Sequence, residues 1–215
     1  MSKKLIIGNW KMNGSISLLH DFSEILDKEN FIIALPYPLI PFAKSINPNV
    51  KIAAQDCSIF RGKGAYTGEI SADMLKEFGA EYVIVGHSER REFFNESGSI
   101  INKKVKNALL AELKIIYCVS ENFENQIKND LEGVDTNIIM AYEPISAIGT
   151  GITPSTDDVF AVTTRIKNLW DTKILYGGSV NSSNISDFLG IENVNGVLVG
   201  GASLKLDEVK SMLWD

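Results

Sequence analysis

The sequence predicts an α/β fold, a (β/α)8 barrel of eight parallel strands inside an outer ring of helices. Three observations point there. Eight short runs rich in β-branched residues recur along the chain. Most are continuously apolar rather than alternating, as expected of strands covered on both faces. Helical patterns lie between them, with no long polar linker to divide the chain. One domain over 1–215 is expected, with a somewhat trimmed ring, because such barrels typically need about 250 residues. A doubly wound open sheet is the structural alternative.

The strands are expected at 5–11, 31–36, 51–56, 81–87, 114–119, 137–143, 173–178 and 196–200. A helix over 15–28 places Ile16, Leu19, Phe22 and Leu26 on one face. One over 99–112 groups Ile101, Val105, Ala108 and Leu109; one over 155–170 groups Val159, Val162, Ile166 and Leu169. Ser155 can cap the latter, with Asp158 three residues on. A last helix over 207–214 collects Val209, Met212 and Leu213. The segment 55–73, from Gln55 to Asp73, is long for a loop and carries three glycines, the mark of a functional or interacting element.

Composition narrows the function. The net charge is −6, from 21 Lys+Arg against 27 Asp+Glu. No nucleic-acid partner is expected, since that needs a basic face. A few local donors can still hold a small anion. Cys57 and Cys118 have no metal-ligand or disulfide spacing, so neither a metal nor a disulfide framework is expected. The N-terminal apolar run is too short for a signal peptide, and no run reaches the ~20 apolar residues of a membrane span. No membrane association is expected, and the cytoplasm is the expected location.

Chemistry gathers at strand ends. The first strand ends Asn9-Trp10-Lys11, offering a cation to an anionic ligand. The fourth ends Gly86-His87-Ser88-Glu89. Ser88 can cap a short helical turn, which would set His87 against backbone N–H groups and favour a neutral ring. His20 falls on a helix without partners. The sixth strand ends at Glu143, followed at once by Pro144 and a glycine-bearing stretch to Gly151, a carboxylate beneath a loop able to close. The last two strands end in Gly177-Gly178-Ser179 and Gly200-Gly201, whose N–H groups can approach a phosphate. Ser179 and Ser203 can add hydroxyl donors. In a barrel these ends converge on one face. A lysine, a histidine, a carboxylate and two donor loops suit proton transfer on a phosphorylated carbonyl compound.

Six ordered stretches resemble the triosephosphate isomerase family. They are 8–13 (Gly8-Asn9-Trp10-Lys11-Met12-Asn13), 64–69, 86–91, 141–151, 176–180 and 196–204. The resemblance implies interconversion of dihydroxyacetone phosphate and glyceraldehyde 3-phosphate without cofactor or metal, in glycolysis and gluconeogenesis. By it, Glu143 is the base and His87 the neutral electrophile. Lys11 is the cation beside the substrate, with Asn9 and Glu89 completing that cluster. Gly149, Ser179, Gly200 and Gly201 hold the phosphate. A base, a neutral histidine and a closing loop are the well-known working parts of this family. The 55–73 loop matches the segment that inserts into a second subunit, so a homodimer is implied, with Thr67 reaching the neighbour's catalytic residues. The chain departs from the pattern at Ser146, where a tryptophan is usual, at Ile152, where a lysine is frequent, and at Ser120, where the family has glycine. It also shortens the section over 122–136. Two other readings stand beside this one: another aldose–ketose isomerase or epimerase on the same barrel, and a catalytically silent barrel serving as scaffold or binding protein.

Overall fold

The computed structural model describes residues 3–136, 138–147 and 153–213. Its strands are β1 Leu5–Asn9, β2 Phe31–Leu35, β3 Ile52–Ala54, β4 Tyr82–Val85, β5 Lys114–Val119, β6 Ile139–Tyr142, β7 Ile174–Tyr176 and β8 Val194–Val199. Each pairs in parallel with the next, and β8 returns to β1, so the sheet closes into a barrel rather than an open doubly wound sheet. All the predicted strands are present. They stop earlier at several C-terminal ends, and β8 begins two residues before its predicted start.

The apolar runs are explained by two cores. Ile7, Ile32, Ala34, Ala53, Ile84, Ile116, Cys118, Ala141, Leu175 and Leu198 fill the barrel interior. The alternate residues, such as Ile6, Phe31, Ile33, Val83, Val85 and Tyr117, pack outward against the helices. Each strand is therefore apolar on both faces. The interior alternation also decides which residue just past each strand faces the barrel mouth.

The helices are α1 Ile16–Asp21, α2 Ile40–Ile46, α3 Ala72–Glu77, α4 Ser88–Phe93, α5 Gly98–Leu110, α6 Phe123–Asp130, α7 Thr156–Leu169, α8 Ile185–Leu189 and α9 Leu206–Leu213. The helix expected over 15–28 divides into α1 and a 3-10 turn at Ser23–Ile25, which together bury Phe22, Ile25 and Leu26, with Phe22 edge-on to Trp10. Ser155 caps α7 as expected, its hydroxyl accepting from the Asp158 N–H at 3.1 Å. The section after β5 holds α6, eight residues long, so the ring is thin there. A buried network supports it. Arg91 donates to Gly86 O, to Cys118 O and to the Asp130 carboxylate, which also accepts the Tyr117 hydroxyl at 2.7 Å. The network ties the ends of β4 and β5 to α6.

Candidate active site

Parity builds the site. Asn9 follows Ile7 at an inward position, Glu143 follows Ala141, Gly177 follows Leu175 and Gly200 follows Leu198. These four residues, with Lys11, His87, Gly178, Ser179, Asn181 and Gly201, line a cavity of about 280 Å3 at the C-terminal mouth of the barrel. Active sites of this architecture lie at that face.

Lys11 adopts φ 54°, a left-handed conformation that is uncommon for a side-chain-bearing residue. Its N–H is held by Asn9 Oδ1 at 3.0 Å, and Nζ pairs with Glu89 Oε1 at 2.5 Å. Gly200 leaves Lys11 room: a Cβ there would stand 3.3 Å from Lys11 Cε.

His87, not Ser88, is the N-cap of α4, and this corrects the sequence expectation. Its Nδ1 accepts the Glu89 N–H at 3.2 Å. A serine in the first turn of so short a helix has no cap geometry left, and the buried Ser88 hydroxyl has no partner among the described residues. The cap settles the tautomer: a nitrogen that accepts leaves the ring proton on Nε2. That Nε2 lies 3.0 Å from Glu143 Oε1. The other carboxylate oxygen, Oε2, accepts the Ser88 N–H at 3.0 Å. Glu143 is 2% exposed and His87 6%, so both oxygens are satisfied inside the protein.

Cys118 sits against Glu143 in the barrel. Burial, then the Glu143 charge, push its thiol well above the usual range, so it stays protonated beside the carboxylate. Asn181 escaped the sequence reading, although its position shortly after a glycine pair offered a signal. Ser88 and Cys118 were read in other roles, and their contacts with Glu143 form across the barrel.

Beyond Glu143 the chain forms a 3-10 turn, Ile145–Ala147. The Ile145 N–H donates to Glu121 Oε1 at 2.8 Å, and the Ser179 hydroxyl donates to Ala147 O at 2.6 Å. Ser146 is exposed. This turn is therefore anchored through its backbone and not by a bulky side chain at 146. Gly149 and Ile152 lie outside the described residues. Thr67 is exposed on the 55–73 loop and does not reach this cavity in its own chain; it lines another with Tyr37, Asp56 and Phe94. His20 is exposed on α1. Among the described residues no group of three or more His, Cys, Asp or Glu side chains is placed to hold a metal ion.

Residues 4–214 match the family model described as triosephosphate isomerase. The triosephosphate isomerase of Mycoplasma capricolum is 44% identical, covering 95% of each chain. That of Alkaliphilus oremlandii is 39% identical over 97% of each. The crystal structure of the Bartonella henselae triosephosphate isomerase superposes with a TM-score of 0.87 at 34% identity, over 99% of both chains.

Proposed function

The chain belongs to the triosephosphate isomerase family and has that family's activity, and we propose that Glu143, His87 and Lys11 carry the chemistry. The reaction interconverts dihydroxyacetone phosphate and glyceraldehyde 3-phosphate through an enediolate. Glu143 removes the proton from the carbon next to the carbonyl and returns it to the neighbouring carbon. His87, protonated at Nε2, donates to the carbonyl oxygen and moves protons between the two enediolate oxygens. Lys11 stands by as the fixed positive charge. Asn9 and Glu89 orient it. Fixed donors of this kind are worth most where negative charge develops away from water, on the order of 3–4 kcal/mol for one donor.

The observation that carries this reading is the His87–Glu143 contact: a buried base and an Nε2 donor 3.0 Å apart, at the mouth of a cavity edged by two glycine pairs. In the resting arrangement Glu143 is bonded to Ser88 and His87. Substrate takes the place of Glu143 on Nε2, and the carboxylate turns towards carbon. Ser179, Gly200 and Gly201, with Gly149 beyond the described residues, hold the phosphate through N–H groups. Nothing in the site favours a silent scaffold, since the residues proposed as base, electrophile and cation line one cavity.

The test is a coupled isomerase assay of the protein beside Glu143→Gln. Loss of the base removes a factor of about 10²–10⁴. Equal rates in both proteins would overturn the assignment.

We also propose a cytoplasmic homodimer formed through the 55–73 loop. Phe60 and Tyr66 stack at 3.6 Å between centroids on that exposed loop, and Met12 and Phe94 add exposed apolar surface. A neighbour receiving the loop would cover these groups and bring its Thr67 to Lys11. Light scattering across a dilution series that found only active monomer would remove this reading. Among the described residues no helix is long and apolar enough to cross a membrane.

A further inference from the structure

We propose that Asn184 and Glu208 are positioning residues for the substrate phosphate. Neither lines the catalytic cavity, yet together they brace the loop after β7, whose backbone forms one half of the phosphate grip. The brace rests on the reading that Ser179, Gly200 and Gly201 hold the phosphate.

The loop needs a brace. Two glycines precede Ser179, and no helix or strand covers 177–184. Asn184 closes this segment on itself. Its Nδ2 donates to Ser179 O at 3.0 Å, and its Oδ1 accepts the Asn181 N–H at 2.9 Å. One side-chain amide thus fixes two successive peptide planes, Ser179–Val180 and Val180–Asn181. Their direction matters to an anion. A carbonyl turned into the cavity would repel phosphate, whereas an N–H attracts it. Asn184 draws the Ser179 carbonyl to itself, and a trans peptide turns the Val180 N–H to the opposite side. Ser179, Val180 and Asn181 line the cavity, so the donor side of the loop is the side that meets the ligand.

Glu208 sets where the loop stands. The second glycine pair leads through a 3-10 turn, Gly201–Leu204, into α9. Glu208, in the first turn of α9, accepts the Ser182 N–H at 2.9 Å. Its bonds from Ser182 hold its carboxyl below the usual carboxylate range, so it is ionised and accepting at neutral pH. The bond ties the element after one donor loop to the other donor loop, behind the cavity. A phosphate must meet donors from both loops at once, and a fixed spacing between them spares the ordering cost of binding. The brace lies within one chain: none of its residues belongs to the 55–73 loop or to the apolar surface assigned to the dimer.

The test separates phosphate binding from folding. Kinetics are measured on the full chain with glyceraldehyde 3-phosphate, with phosphate-free glyceraldehyde by proton NMR, and with inorganic phosphate as inhibitor. Asn184→Ala should raise KM and the inhibition constant of inorganic phosphate about 5- to 30-fold, and Glu208→Ala about 2- to 10-fold. Turnover of glyceraldehyde should change far less in both. Glu208→Gln keeps an acceptor for Ser182 and should restore most of the affinity. An equal loss with both substrates would mean a merely structural role and overturns the proposal. An unchanged phosphate constant in either alanine variant removes that residue from the brace, and Glu208→Gln as weak as Glu208→Ala removes the bond to Ser182. Inorganic phosphate that fails to compete on the parent protein overturns the phosphate reading and the brace with it; competition on the parent, unaltered in both alanine variants, overturns the brace alone.

Discussion

A single methyl group added at Gly177 should displace Glu143, the proposed base, while leaving the barrel folded. Gly177 follows β7, and its N–H donates to Tyr142 O at 2.8 Å. A Cβ at this position would stand 3.0 Å from Glu143 Cγ and 3.3 Å from Tyr142 O. Carbon atoms prefer about 3.5–4.0 Å, so about 0.5–1 Å must be found. The Tyr142 carbonyl is held in the barrel by the bond it accepts. The Glu143 side chain is the softer neighbour, although it is 2% exposed and bonded through both oxygens. The carboxylate therefore yields. A misplacement of about 1 Å in a reacting group costs about 10²-fold, so Gly177→Ala should lower kcat by about 10- to 100-fold. Overpacking of this sort costs about 1–3 kcal/mol, so the thermal midpoint should fall by several degrees and the fold persist. The assay is kcat and KM by the coupled reaction, with circular dichroism confirming the folded barrel. A folded variant with the parent kcat would refute the reasoning, because it would mean that the position of Glu143 is not set by this contact.

Other consequences can be measured independently. Asp130→Ala removes the carboxylate partner of a mostly buried guanidinium, and should cost about 3–5 kcal/mol in urea unfolding; a loss under 1 kcal/mol would show that the carbonyls of Gly86 and Cys118 suffice. Glu121→Ala frees the Ile145 N–H, and a several-fold drop in kcat with the thermal midpoint nearly unchanged is expected; an unaltered kcat would remove Glu121 from the positioning of this turn. Burial, then Glu121 and Asp158, push the Tyr142 hydroxyl up to about 12. The folded chain then holds a proton that the unfolded chain gives up near pH 10, so stability should fall as pH rises from about 10 to 12. Tyr142→Phe should flatten that slope, and an equal slope in the variant would assign it to other groups.

The sequence carried the strands and the chemistry at their ends. Continuous apolar runs, five of the eight closed by Asn9, His87, Glu143 or a glycine pair, are local patterns, and a barrel turns such ends to one mouth whatever the details of the ring. The short helices α2, α3, α6 and α8 were not read from the sequence, because five to eight residues make about two turns at most and give only a weak period. Long-range partners were not legible either. Ser88 read locally as a cap, but the folded chain gives that place to His87 and uses the Ser88 N–H to hold Glu143, 55 residues away in sequence. Lys11 read from its own stretch only as a fixed cation; the resemblance alone set Glu89 in its cluster, and the structure pairs the two across 78 residues of sequence. The stretch after Glu143 read as a loop that had lost a bulky anchor at 146. The structure supplies the anchor elsewhere, in backbone contacts to Glu121 and Ser179. Sequence by itself thus determined which groups stand at the barrel mouth, since side-chain alternation and strand ends are local properties. Only the tertiary structure decided how each is oriented and paired, because those bonds form between strands that meet only when the sheet closes.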